Sequence, residues 1–387
     1  MSRRILLAGI LSVVGFSSVL AQGGGTGIGN NDNEIYTLTT AVPFLTIPVD
    51  ARAAGMGDVG VATSPDANTM FWNPGKLAFV ESDYGGAISY TPWLRNLVDD
   101  MSLSYVTAFT KIRQEDAVGI SLTYFDLGQI QFTDQQGNNL QLVDPREFNI
   151  AMAYSRKLSQ SLGVSLGLKF IHSNLTGRIE GNNSPTGTDL KPGNTAAADL
   201  GAYYTRDYVL LGNNTNFAFG ANLSNLGPKI SYSNNDSADF IPTNLRLGTS
   251  IAMDADVYNT FTFSADINKL LVPSNANSDA GVVGGVFNSF SDSPQGFGGE
   301  MREIAVSLGL EYNYDDKFFV RTGYFFEDEL YGARKYFTVG VGVAYQVIAL
   351  DMAYLIPTTR NHPLENTLRL TLALNFDRPE QAESVTE

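Results

Sequence analysis

The sequence predicts an all-β membrane protein, a 14-stranded antiparallel outer-membrane β-barrel with an N-terminal plug (hatch) segment. Three observations predict it. Two-faced runs of strand length recur along the chain, the connections between them alternate between short and long, and beyond the N-terminal leader no apolar run is long enough for a membrane helix. The last run is the clearest. Leu368, Leu370, Leu372, Leu374 and Phe376 share one parity, and Arg369, Thr371, Ala373 and Asn375 share the other. Successive side chains of a strand point to opposite faces, so this segment has one apolar and one polar face. A soluble sheet could contain one such strand. Its repetition at roughly ten-residue length is the barrel signature, and it disfavours the alternative of a soluble sandwich or propeller.

Composition agrees. The 387 residues include 38 Gly, 18 Tyr, 23 Phe and no Cys, and the mean hydropathy is -0.06. The aromatic residues suffice for two interfacial girdles. Without Cys there is neither a disulfide nor a lipid-modified N-terminal Cys. The formal net charge of -15 argues against nucleic acid as a partner.

Residues 1–21 read as a secretory signal peptide. Arg3 and Arg4 form its charged start, Ile5 to Phe16 its apolar stretch, and Val19-Leu20-Ala21 its cleavage site. Residues 22–34 are rich in Gly and Asn and are expected to be disordered. Residues 35–82 differ from all that follows. They carry Ala51-Arg52-Ala53-Ala54, which favours a short helix, between Gly and Pro breaks. This segment reads as the plug, 83–376 as the transmembrane barrel and 377–387 as a periplasmic tail.

The expected strands lie near 83–91, 100–110, 116–125, 146–157, 161–173, 196–206, 214–224, 241–252, 258–268, 303–313, 317–326, 334–345, 347–356 and 365–376. Phe261 and Phe263 oppose Thr260, Thr262 and Ser264. Val339, Val341 and Val343 oppose Thr338, Gly340 and Gly342. The small inward residues leave room for a plug. Long connections follow odd strands, at 126–145, 174–195, 225–240 and 269–302, and short ones follow even strands. Bacterial barrels have long extracellular loops and short periplasmic turns, so an even strand count places both termini in the periplasm.

The inward charges fall on neighbouring strands. Arg246 with Asp266, Glu311 with Arg321, and Asp351 with Arg369 are expected as ion pairs bracing the wall rather than as a transport path. Material for catalysis is thin. His172 shares the lipid-facing parity of Leu166, Leu168 and Phe170. Ser173 and Asn174 follow it, but Ser173 faces the other way, so a hydrolase would need a Ser from a neighbouring strand. An interfacial His172 is the better reading, and His362, before Pro363, reads as a loop residue. No catalytic, cofactor-binding or metal site is predicted. Gly23-Gly24-Gly25 lacks the Lys and Ser/Thr of a phosphate loop.

The longest loop, Leu270 to Met301, spreads Val282, Val283, Val286, Phe287, Phe290 and Phe297 among Gly, Ser and Asn. Apolar groups in a polar loop need cover, from the barrel mouth or from a partner. Val283, Val286, Phe287, Phe290 and Phe297 are the candidate partner-binding residues, on a loop read as forming no rigid element.

One stretch is distinctive as a motif. Pro43-Phe44-Leu45 leads into Asp50-Ala51-Arg52-Ala53-Ala54-Gly55-Met56-Gly57-Asp58, and Ser64-Pro65-Asp66 leads into Trp72-Asn73-Pro74. Over Ala41 to Phe79 the chain resembles the PorV (LptO) family, outer-membrane components of the Bacteroidetes type IX secretion system within the broader group of FadL-like barrels. The Asp-Ala…Trp-Asn-Pro run is common to the broader group, and the longer Pro-Phe-Leu…Met-Gly-Asp run points to PorV. Gly75 stands where the broader group often has Ala. The resemblance marks Arg52, Gly55, Gly57, Asp66, Trp72, Asn73 and Pro74 as plug residues, with Trp72 buried and Asn73-Pro74 in a tight turn. It implies a non-enzymatic shuttle in the outer-membrane lipid. Such a protein takes cargo bearing C-terminal signal domains from an SprA-type translocon to an attachment complex with a PorU-like sortase. A FadL-like transporter of hydrophobic small molecules is the alternative, and an outer-membrane lipid hydrolase is the weakest of the three. N-terminal sequencing of the mature protein is expected to begin at Gln22; recovery of Met1 from the outer membrane would refute the leader assignment.

Overall fold

Fourteen strands pair in an unbroken antiparallel ring in the computed structural model. It describes residues 38–378 apart from 96, 97, 99, 134–138, 176–190, 233–237, 275–279, 360 and 361. The expected leader, residues 22–34 and the tail beyond 378 lie outside the described residues. In chain order the strands are β1 (Tyr84–Pro92), β2 (Ser102–Lys111), β3 (Asp116–Asp126), β4 (Ile130–Thr133), β5 (Asn139–Val143), β6 (Arg146–Lys157), β7 (Leu162–Asn174) and β8 (Gly193–Leu210). They continue as β9 (Asn213–Leu226), β10 (Asn244–Asp254), β11 (Asn259–Leu270), β12 (Ala305–Tyr314), β13 (Phe318–Phe326), β14 (Lys335–Tyr345), β15 (Ile348–Pro357) and β16 (Leu368–Phe376). All the expected wall strands are present, with ends displaced by a few residues. Among the described residues, only β4 and β5 stand outside the ring, as a hairpin inside the long connection after β3. That hairpin was not expected, because its short strands carry no sustained alternation. β1 closes on β16, with Tyr84 opposite Phe376 and Ile88 opposite Leu372, so the sheet has no edge.

The burial pattern is that of an inside-out protein. On β16, Leu370, Leu372 and Leu374 are exposed on the outer face, while Arg369 and Thr371 are buried. On β11, Phe261 and Phe263 are exposed, while Thr262 and Ser264 are buried. An outer wall of this kind is stable only in hydrocarbon. Aromatic side chains mark its two rims. Tyr84 stacks on Phe376 at 5.3 Å between centroids, with exposed Tyr258, Tyr314 and Tyr345 at the same rim. Exposed Tyr90, Phe326 and Tyr354 mark the other.

Residues 38–80 lie inside the ring. A 3-10 turn (Pro43–Thr46), α1 (Ala51–Gly55), α2 (Thr69–Trp72) and a second 3-10 turn (Pro74–Phe79) follow one another. The Ala-rich α1 starts where the Asp50 carboxylate accepts from Ala53 N at 2.9 Å, a side-chain cap. Wall strands on every side hold the segment. Ala51 N donates to Thr371 Oγ1 of β16 at 2.8 Å and Gly57 N to Thr338 Oγ1 of β14 at 2.9 Å. Gly60 N and Val61 N both donate to Asp266 Oδ2 of β11, at 2.8 and 3.0 Å. Asn73 Nδ2 reaches Ala202 O of β8 at 2.9 Å, and Ser155 Oγ of β6 donates to Gly75 O at 3.2 Å.

The segment runs from one mouth to the other. Ala41 N donates to Phe240 O in the long connection after β9, and Phe44 and Leu45 pack among Leu103, Tyr105, Phe125 and Ile171. Phe79 meets Tyr203 near the short-turn mouth, at 5.5 Å between centroids. Arg378 closes the described chain at that same mouth, donating from its backbone to Asp83 at 2.9 Å. Leu38 and Arg378 therefore stand at opposite mouths. The expectation of two termini on one side concerns an N-terminus outside the described residues.

Close approach between plug and wall depends on missing side chains. Gly57 has φ +72°, and a Cβ on the inward Gly323 of β13 would lie 2.2 Å from Gly57 N. Replacing Gly323 with Leu is expected to leave a closed barrel that still migrates faster unheated than boiled, but to expose residues 38–80 to protease. Unchanged protection of that segment would show that this contact does not seat the plug.

Candidate functional site: a loop platform above a plugged lumen

The longest connection, 271–304, is anchored at its base and bare at its top. Lys269, near the end of β11, bonds Glu300 at 2.9 Å and also Glu303. Glu300 Oε1 accepts from Ser293 N at 2.8 Å, and Ser293 Oγ meets Tyr331 OH at 3.0 Å. Asp292 accepts from Ser274 N at 2.9 Å. Burial raises the pKa of Glu303, while its bond to Lys269 lowers it. On this frame sit α3 (Val282–Asn288) and α4 (Phe297–Arg302). The structure therefore corrects the expectation that the loop forms no rigid element. A sequence as rich in Gly as Val282-Val283-Gly284-Gly285 has weak helical propensity. Tertiary contact overrides it, because Gly285 is buried against Phe240 and Pro273, where a Cβ would come within 2.9 Å of the Phe240 ring.

The two helices present their apolar residues outward. Val283 and Phe287, one helical turn apart on α3, are 65% and 71% exposed, and Phe297 on α4 is 81% exposed. Phe290 is exposed just beyond α3, and Met301 is exposed on α4. Val286 is half-buried. Four of the five candidate partner-binding residues are thus exposed.

Below this loop, polar contacts tie the plug to the wall. Arg52 of α1 reaches Asp66 at 3.0 Å, Glu311 of β12 at 3.1 Å and Ser64 Oγ at 2.6 Å. Asp66 also accepts from Asn68 N at 2.8 Å. Trp72 is buried, its Nε1 donating to Asp50 Oδ1 at 2.6 Å. Lys76 is buried, its Nζ donating to Gly60 O at 2.7 Å. Asn73 Oδ1 accepts from Gly75 N at 3.0 Å, and Pro74 opens the second 3-10 turn. Gly55 comes so close to the wall that a Cβ on it would lie 3.0 Å from Gly340 Cα.

The ion pairs expected within the wall are partly redistributed. Glu311 does pair with Arg321. Asp351 also pairs with Arg321, not with Arg369. Arg369 instead bonds Asp58 of the plug at 2.6 Å, and Tyr336 donates to the same carboxylate. Arg246 and Asp266 form no pair. Asp266 accepts from the plug backbone, and Arg246 stacks on Trp72 and Phe71, its guanidinium 4.8 and 5.2 Å from their rings. Neighbouring strands put these charges near one another, but the plug competes for them. No strand pattern could have revealed that competition.

His172 sits beside Phe148 at 5.0 Å between rings, its Nδ1 paired with Asn194 Oδ1 at 2.8 Å. Ser173 faces inward and donates to Glu147 at 2.6 Å, with Tyr232 OH 3.0 Å from its Oγ. His362 Nδ1 accepts from Leu364 N in the loop before β16. Among the described residues no cluster of acidic and His side chains could hold a metal.

A family model described as "Type IX secretion system protein PorV" matches residues 30–277. No curated protein matches the chain. Among solved structures, the Pseudomonas putida toluene transporter TodX is 10% identical and superposes with a TM-score of 0.49 over 88% of this chain and 98% of its own. The Ralstonia pickettii toluene transporter TbuX is 13% identical, with a TM-score of 0.45 over 84% of this chain and 98% of its own. A Pseudomonas aeruginosa FadL homologue is 10% identical, with a TM-score of 0.42 over 88% of this chain and 100% of its own.

Replacing Arg369 with Met strips Asp58 of its cation and leaves a buried carboxylate with Tyr336 alone. Breaking a buried pair from one side costs about 3–5 kcal/mol. The temperature at which the unheated, fast-migrating form disappears from gels is expected to fall clearly. An unchanged temperature would mean that the pair does not tie plug to wall.

Proposed function

Because the chain belongs to the PorV family of the type IX secretion system, we propose that it serves secretion as a docking and shuttle protein of the outer membrane. The long connections face the cell exterior and the short turns and C-terminal end face the periplasm. The exposed helices α3 and α4 engage the machinery. The partners are an SprA-type translocon, the C-terminal signal domains of cargo, and a surface attachment complex with a PorU-like sortase. The protein acts without catalysis of its own.

One observation carries this reading. Val283, Phe287, Phe290 and Phe297 are exposed on a loop that buried ion pairs hold in place. Large apolar residues uncovered on a well-ordered frame are what a protein partner uses as anchors. Holding them in place beforehand lowers the ordering cost of association. Transport of hydrophobic molecules would need an apolar path along the lumen. The ring of plug-to-wall bonds from β6 through β16 weighs against it, as does the polar character of the groups involved. A lipid hydrolase would need a Ser beside His172, whereas Ser173 is engaged with Glu147 and Tyr232.

The test is the triple replacement of Phe287, Phe290 and Phe297 by Ser. Aromatic anchors are worth on the order of 2 kcal/mol each at a hot spot. The variant is expected to fold and insert normally while co-purification with the translocon and secretion of cargo both fall sharply. Wild-type association would place the docking surface elsewhere on the barrel.

A further inference from the structure

The closed wall has no edge, but one hairpin overshoots it at the short-turn mouth. β8 pairs with β9 as far as Leu210 opposite Asn213, whereas its pairing with β7 stops at Tyr204 opposite Leu162. One further bond, from Thr205 N to Ser161 O at 2.8 Å, ends that ladder. Among the described residues, 206–210 therefore have no strand on the β7 side. The N–H and C=O of a residue in an antiparallel ladder point to the same side, and the side alternates along the strand. Thr205 N points toward β7, so the main-chain N–H and C=O of Asp207 and Val209 open onto this bare edge. Side chains guard it poorly. Arg206 lies over the Tyr208 ring at 5.4 Å, and Asp207 Oδ1 accepts from Asn216 Nδ2 at 2.7 Å. Both charges are thus engaged within the hairpin, and the residues after them, Tyr208, Val209 and Leu210, include neither the Lys nor the Pro that commonly blunts an edge.

The tip of this hairpin is apolar and strained. Val209 is 74% exposed and Leu211 88% exposed, with Tyr208 and Leu210 exposed beside them. Leu211 and Gly212 make a two-residue turn with φ of 54° and 88°, left-handed at both positions as in the hairpin turn that Asn-Gly favours. A bulky Leu in the left-handed region is an outlier, and backbone strain of this kind collects where function requires it. Lipid does not account for the apolar tip. Hydrocarbon would leave the open N–H and C=O groups of Asp207 and Val209 unsatisfied, so the edge stands in water, and water leaves Val209 and Leu211 uncovered. An extended strand with apolar side chains meets both needs at once, since its main chain continues the ladder and its side chains cover the tip. We propose that the β8–β9 hairpin is a docking edge for an extended apolar segment of a second protein, which adds to β8 as a further strand. In the orientation proposed above, that protein is periplasmic. The edge lies at the opposite mouth from α3 and α4, so it is a contact separate from theirs.

The test uses the full-length protein in lipid nanodiscs and a fluorescein-labelled peptide of alternating Thr and Val, with fluorescence anisotropy as the readout. A twin peptide with Pro at every third position cannot extend a ladder. Anisotropy is expected to rise and saturate with the first peptide and to stay flat with the twin. Val209→Pro removes an N–H from the bare side only, where a strand tolerates Pro, and is expected to weaken binding roughly tenfold or more. Leu211→Asn suits the turn but uncaps the apolar tip, and is also expected to weaken binding. The triple replacement of Phe287, Phe290 and Phe297 by Ser is expected to bind the peptide as the wild type does, which keeps this edge distinct from the surface on α3 and α4. Gel mobility before and after boiling checks that each variant is folded. No binding by the wild-type protein, equal binding of the twin, or undiminished binding by a folded Val209→Pro or Leu211→Asn variant would overturn the proposal. So would protection of residues 206–211 from hydrogen exchange in nanodiscs without peptide, which would put the hairpin in lipid.

Discussion

Hydrocarbon offers no partner to a backbone N–H or C=O, so each one must be satisfied within the protein. Closure of β1 on β16 meets this requirement for the whole wall in a single sheet. Once the ring is closed, its outer face has only lipid to meet and its inner face is cut off from lipid. The alternation of Leu370, Leu372 and Leu374 with Arg369, Thr371 and Ala373 is the imprint of that division.

Closure creates a second constraint. The inner face carries charges that neither lipid nor a neighbouring strand fully satisfies. The plug supplies the missing partners. Its Asp58 meets Arg369, its Arg52 meets Glu311, and its backbone at Gly60 and Val61 meets Asp266. In return the wall offers Thr338, Thr371 and Gly323, residues small enough to admit the plug backbone. Plug and wall are thus a single polar core, and neither would satisfy its buried groups alone.

The same economy separates the loop base from the lumen. At the loop base, Lys269, Glu300, Glu303 and Asp292 use their bonding capacity on the loop itself, which leaves the exposed apolar residues of α3 and α4 without cover. In the lumen, charges are shared between plug and wall, and Arg246 packs on the rings of Trp72 and Phe71.

The sequence by itself determined the wall. A period-two alternation is local, and lipid outside the barrel enforces it on every strand, so all fourteen strands, their in-out parity and the alternating connections were legible. The motif around Asp50 to Asp58 and Trp72 to Pro74 lies in the segment that hydrogen bonds tie to the wall. Only the tertiary structure decided which charges meet. Asp351 pairs with Arg321 rather than Arg369, and Arg246 lies on two aromatic rings rather than on Asp266. Those choices depend on how strands are staggered and on a plug distant in sequence. It also decided that the Gly-rich loop after β11 forms helices, because Gly285 can approach Phe240 only once both are brought together by the barrel. Pairings between segments far apart in the chain have no local period, and so they leave no pattern to read before the chain is folded.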